Sequence, residues 1–211
     1  MSWLSRRRFL EQSMFTTAAA MALHAQRTGA NEPQQQPPSI GPNDTIQVAV
    51  IGAGGRGQSH IDGFAGKPGS VVTHICDCDE KAGQRSCEKA AEKQGGKKPV
   101  WVKDVRKLLE DKSINAVSIA TPNHWHSLGA IWAIQAGKDV YVEKPVSHNV
   151  LEGRRVVQAA RKHQRMVQTG TQSRSNTGMR EAIAFVHAGG IGGVLISPGL
   201  CYKRRASIGP R

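Results

Sequence analysis

Short apolar runs alternate with longer amphipathic stretches from Ile46 to about Gly170. Val48 to Ile51, Val71 to Cys76, Pro99 to Val102, Ala116 to Ala120, Val140 to Val142 and Met166 to Gly170 read as strands. Between them, Glu80 to Gln94 reads as a helix closed by Gly95-Gly96, and Asp104 caps a second through Leu108 and Leu109. A third helix runs from the His126 region to Gly137, and a basic one from Leu151 to His163. Strands alternating with helices predict an α/β protein, a doubly wound parallel sheet with helices on both faces. Beyond it, Thr177 to Ala188 reads as a helix and Gly193 to Tyr202 as a strand, the start of a second α/β domain.

The first strand runs straight into Gly52-Ala53-Gly54-Gly55-Arg56-Gly57, a Gly-x-Gly-x-x-Gly turn leading to a helix. In a Rossmann-type sheet Gly52 allows the tight reversal, Gly54 lets backbone approach a pyrophosphate, and Gly57 packs helix on strand. Gly55 and Arg56 complete the candidate phosphate loop. A plain glycine turn has the same composition, so the second strand matters: it ends at Asp77, where a carboxylate can accept hydrogen bonds from an adenosine ribose. That acid favours NAD over NADP, because it repels a 2′-phosphate, although Lys81 and Arg85 lie nearby.

Polar and titratable residues recur at the other strand ends, where ligands sit in such sheets. Thr121-Pro122-Asn123-His124-Trp125-His126 follows the fourth strand and Glu143-Lys144-Pro145 the fifth. Each proline forces the residue before it toward an extended conformation and turns the strand end into the crevice. Lys144 is then expected at the rim of the cleft or inside it, where desolvation would fit it for proton transfer; a solvated loop lysine is the plainer reading. His126 is read as a cofactor or substrate contact, with capping or packing as the alternative. His124 and His126 face different ways at a helix start, and Cys76 and Cys78 do so along a strand, so no metal site is predicted.

The formal charge of +13 over 211 residues raises the question of nucleic acid. From Leu151 onward nine Arg and two Lys stand against Glu152 and Glu181 alone. Arg154, Arg155, Arg161, Lys162 and Arg165 lie on a helix without interleaved aromatics, which reads as a solvated face or a surface for acidic partner residues, and no nucleic-acid motif accompanies them.

Ser5-Arg6-Arg7-Arg8-Phe9-Leu10 precedes a mildly apolar, alanine-rich run from Met14 to Ala25, too short and weak to span a bilayer. Residues 1–30 are expected to be a twin-arginine export signal, hence a periplasmic address rather than an anchor. Residues 31–44, rich in Gln, Pro and Asn, are expected to be a disordered linker. Residues 45–170 then form the dinucleotide domain and 171–211 the incomplete start of a substrate domain. The twin-arginine route exports folded proteins, so a nicotinamide cofactor can travel in its pocket, and the four cysteines need no disulfide.

The order of Gly-x-Gly-x-x-Gly, strand-terminal Asp, Thr-Pro-Asn-x-x-His and Glu-Lys-Pro resembles the N-terminal half of the Gfo/Idh/MocA oxidoreductases. The resemblance covers Ile46 to about Gly170 and weakens beyond. It implies that Gly52, Gly54 and Gly57 hold a pyrophosphate, that Asp77 holds the ribose, and that Thr121, Pro122, Asn123 and His126 border the nicotinamide. It implies further that Glu143 and Lys144 stand at the reacting end, the lysine orienting substrate and helping to move its hydroxyl proton. The family's second domain carries an Asp-x-x-x-His motif that does not occur before Arg211, so the sequence is expected to be a fragment. Three functions follow from the resemblance: an NAD-dependent oxidoreductase of a sugar, cyclitol or polyol; an exported NAD-dependent glycosidase, a branch that tends to lack the lysine; or a non-catalytic NAD-binding module. The expected partners are a small sugar or polyol and, where the chain self-associates, copies of itself.

Overall fold

The computed structural model describes residues 45–200; the predicted leader, the linker and residues 201–211 lie outside the described residues. All six predicted strands form: β1 (Ile46–Ile51), β2 (Ser70–Cys76), β3 (Val100–Val102), β4 (Ala116–Ile119), β5 (Asp139–Glu143) and β6 (Val167–Gly170). They make one sheet in the order β3-β2-β1-β4-β5-β6, with every neighbouring pair parallel. The helices are α1 (Gly55–Phe64), α2 (Glu80–Lys93), α3 (Val105–Glu110), α4 (His126–Gln135), α5 (Val150–His163) and α6 (Thr177–His187).

Successive residues of a strand point to opposite faces, and β1 supplies both cores. Val50 packs with Ile61 of α1, Val72 and Ile75 of β2, and Cys87 and Ala90 of α2. Ala49 and Ile51 pack on the other face with Val117, Ile119 and Val142, under Leu108 of α3, Ala133 and Ile134 of α4, and Val156 of α5. Burial of each such aliphatic side chain is worth about 1.5–3 kcal/mol before entropy is counted.

Helix starts follow the polar residues that precede them. Asp79 accepts from the amides of Lys81 and Ala82, Asp104 from Arg106, and Asn149 from Glu152. Two starts differ: α4 follows Trp125 and α1 follows Gly54, neither with a side-chain hydrogen bond to the first-turn amides.

The segment beyond the sheet departs from expectation. Helix α6 forms behind Asn176, but residues 193–200 remain irregular and exposed instead of forming a strand. Strand-forming residues with no strand beside them have nowhere to place ladder hydrogen bonds. No helix among the described residues is long and apolar enough to cross a membrane.

Candidate functional site

The order of the sheet reverses between β1 and β4, so a crevice opens at the carboxyl ends of these two strands, the usual ligand position in such sheets. Gly52 closes β1 at φ 87°, and a Cβ there would lie 2.9 Å from the Ala120 carbonyl carbon and the Thr121 nitrogen. At Gly57 a Cβ would stand 1.8 Å from the Gly52 oxygen. These two positions therefore require glycine for close packing of loop, β4 and α1. Gly54 and Gly55 face open space, with no atom within 4 Å of an added Cβ. The loop thus presents bare backbone and the uncapped, electropositive end of α1 to the crevice.

Asp77 follows β2 directly. Its Oδ2 accepts from the Ala53 amide at 2.7 Å and its Oδ1 from the Asp79 amide at 2.9 Å. The acid braces the glycine loop and keeps lone pairs for a further donor. The flanking thiols lie apart: Cys78 is exposed, whereas Cys76 is buried and pushed up to about 12 by burial, which makes it inert.

Cavities lie on either side of the loop. One, of about 330 Å³, is lined by Ala53, Gly54, Gly55, Gln58, Arg85 and Lys89, among others. The second, of about 460 Å³, brings together Arg56, Thr121, Asn123, His126, Glu143 and Lys144. Six residues singled out in the sequence, from three separate segments, therefore share one wall. Pro122 is exposed and begins the short turn Asn123–Trp125. Thr121 Oγ1 is buried with no hydrogen-bond partner among the described residues, an orphan in the lining of the larger cavity.

His126 stands in the wall of the larger cavity. It is buried, and both ring nitrogens are committed to backbone oxygens, Nδ1 to Pro145 at 2.6 Å and Nε2 to Thr121 at 2.8 Å. It staples the Thr121 loop to the Glu143-Lys144-Pro145 turn while lining the larger cavity, so it packs and stands at the site at once. His124 is exposed beside the Trp125 ring and shares nothing with it. Lys144 differs from the expected desolvated group: it is exposed at the rim of the larger cavity.

Glu143 is the hub of the larger cavity. It is buried, and its Oε1 accepts from Arg56 Nε at 2.7 Å, His60 Nε2 at 3.1 Å and Gln172 Nε2 at 2.5 Å. Its Oε2 accepts from the Lys144 amide at 3.2 Å. Burial alone would raise this carboxyl, but hydrogen bonds from Arg56 and His60 more than offset it and hold Glu143 down at about 2. Arg56, read in the sequence as part of the phosphate loop, thus reaches across to β5. His60, Ser118, Tyr141 and Gln172 were not singled out in the sequence. One signal was available for His60: it lies four residues after Arg56, on the same face of α1.

An uncapped helix end over open glycines, a bracing acid and an orphaned hydroxyl across the crevice fit a dinucleotide. A family model for an oxidoreductase family with an NAD-binding Rossmann fold, Gfo/Idh/MocA, matches residues 46–171. A glycosyl hydrolase family 109 protein of Shewanella sp. strain ANA-3 is 34% identical over 165 residues, covering 72% of this chain and 36% of the relative. Inositol 2-dehydrogenase 1 of Saccharopolyspora erythraea is 33% identical over 127 residues, covering 54% of this chain and 36% of the relative. The crystal structure of myo-inositol dehydrogenase from Lactobacillus casei, in complex with NAD(H) and myo-inositol, superposes with a TM-score of 0.62 at 25% identity, over 70% of this chain and 43% of that one. The chain thus spans little more than a third of the length of these two curated relatives.

Proposed function

This chain belongs to the Gfo/Idh/MocA oxidoreductase family, and from that premise we propose that it serves the NAD-dependent oxidation of a hydroxyl on a sugar, cyclitol or related polyol. The observation that carries the reading is the crevice itself. Bare glycine backbone and the free start of α1 lie on one side, and Thr121, Asn123 and Lys144 share the cavity on the other.

Gly52 and Gly57 shape the loop, and the first amides of α1, over Gly54, Gly55 and Arg56, would bind the diphosphate. Asp77 would receive the adenosine ribose with lone pairs not used by Ala53 and Asp79. Thr121, Pro122 and Asn123 would border the nicotinamide, whose ring, once bound, supplies the hydride acceptor. Lys144 would orient the substrate hydroxyl and help take up its proton as hydride leaves the same carbon. Glu143, encircled by donors, holds the lysine's turn in place rather than carrying a proton itself. The polyol class rests on the family and on neighbours whose structures contain inositols. Export through the twin-arginine leader, cofactor in place, and self-association belong to the same proposal.

A second reading, NAD-dependent glycoside cleavage, is favoured by relatives named as family 109 glycosyl hydrolases. Lys144 speaks for the oxidoreductase, because the glycosidase branch of the family tends to lack that lysine. The two separate in one assay: net NADH formation from a polyol supports the first, and glycoside cleavage without net NADH supports the second.

Calorimetric titration with NAD tests the site itself. In Gly54→Val a branched side chain enters the open space over the loop, and NAD affinity should fall at least about tenfold, since diphosphate contacts with charge-assisted bonds are worth that much. Undiminished affinity in the variant would remove the glycine loop from the site.

A further inference from the structure

Beside the cavity, a polar cluster runs through the interior from β4 to α1 and β5. His60 is 5% exposed; its Nδ1 lies 2.8 Å from Ser118 Oγ and its Nε2 3.1 Å from Glu143 Oε1. Its ring stands edge-on to Tyr141 with centroids 5.3 Å apart, and the Tyr141 hydroxyl accepts from the same Gln172 amide that reaches Glu143. An ionised carboxylate only accepts, so Nε2 carries the proton in this contact, and Ser118 fixes the plane of the ring from the other side.

The cluster's position gives it meaning. Arg56 and His60 are one turn apart on α1, the helix whose first turn is the bare anion-binding end of the glycine loop. Both grip the carboxylate immediately before Lys144, and the Lys144 amide is bonded to that carboxylate's second oxygen. Two side chains therefore connect the place where a diphosphate would rest to the turn that presents the lysine. A core needing only stability would fill this space more cheaply with apolar groups, since a partly buried ionic cluster gives little net stabilisation.

We infer that His60, assisted by Ser118, is a positioning residue: with Arg56 it clamps Glu143 so that the Lys144 turn is held in register with the phosphate loop at the start of α1. The inference rests on the dinucleotide reading above. It requires that the clamp matter for the nicotinamide half of the ligand and leave the adenosine half alone.

Calorimetric titration of the full chain with NADH and with ADP-ribose, which lacks the nicotinamide, tests it. His60→Phe keeps a ring in the cavity and removes the donor; NADH affinity should fall about tenfold while ADP-ribose affinity stays within about twofold. His60→Gln returns an N–H donor toward Glu143 and should restore NADH affinity to within about threefold of the parent chain. Equal losses for both ligands, no loss for either, or failure of the Gln variant to recover would overturn the clamp. Should His60→Phe not fold, Ser118→Ala keeps the histidine and loosens its ring, and must still lower NADH affinity selectively; an unchanged ratio of the two affinities overturns the inference. A parent chain that binds neither NADH nor ADP-ribose would instead refute the dinucleotide site, a separate outcome.

Discussion

Glu143 holds a negative charge where burial alone would neutralise it. Its ionised form is stabilised by Arg56, His60 and the Lys144 amide, which brings the carboxyl from an ordinary 4.5 to about 2 in the folded chain. A depressed carboxyl contributes stability that is complete above about 4.5 and is lost as pH falls toward about 2, because the unfolded chain takes up its proton first. Replacing Glu143 with Gln removes the charge and leaves Arg56 half-exposed without its partner, so at neutral pH the variant should be less stable by on the order of 1–3 kcal/mol. Thermal melts across the acid range check the sign. The gap between the two proteins should narrow steadily below about pH 4.5, and a gap that stays constant would mean that Glu143 is not held ionised by its neighbours.

At the scale of elements, the helices of this sheet begin in two ways. α2, α3 and α5 start at Asp79, Asp104 and Asn149, whose side chains satisfy first-turn amides, whereas α1 starts at glycine with no side chain on its first amides. α4 also starts without a side-chain cap, at Trp125, but a short turn runs straight into it; α1 opens directly from the glycine loop onto the crevice, where a ligand can cap it. The cap on α5 also governs the site, for Glu152 returns bonds to the His148 amide and the Asn149 side chain and so closes the turn that descends from Lys144. Asn149→Ala should cost about 1 kcal/mol, a fall of roughly 2–4 °C in Tm for a domain of this size; an unchanged Tm would show that the turn is held elsewhere. These elements were legible in the sequence because each signal is local: apolar period, cap, glycine, proline. The clamp on Glu143 was not, since it joins Arg56, His60, Ser118 and Gln172 across four elements and no spacing along the chain announces it. The misread strand over residues 193–202 shows the converse: a β pattern needs a neighbour, and none of the described strands lies beside residues 193–200.

For the whole molecule, the formal charge of +13 and the proposed leader have to be read against this fold. Arg154, Arg155, Arg161 and Lys162 are exposed on α5, with Arg161, Lys162 and His163 in its last turn, where positive charge meets the negative end of the helix dipole. That local reason accounts for Arg161 and Lys162 without a polyanionic partner, and leaves Arg154, Arg155 and the arginines near the N-terminus to be explained separately. An NAD-binding fold gathers its cofactor contacts from loops at the ends of several strands, so the site exists only once the sheet has folded, and loading after export would require folding and cofactor in the same compartment. Export of the folded, loaded protein avoids that requirement, and a receptor-read arginine pair ahead of a weakly apolar stretch is the address such a route needs. Changing Arg6 and Arg7 together to Lys keeps every charge while removing the pair. A folded reporter fused behind residues 1–44 should then stay in the cytoplasm, measured by fractionation, whereas the unaltered leader should carry it to the periplasm. Equal delivery by both leaders would show that charge alone, acting through a route for unfolded chains, drives export, and the cofactor would then have to be acquired outside.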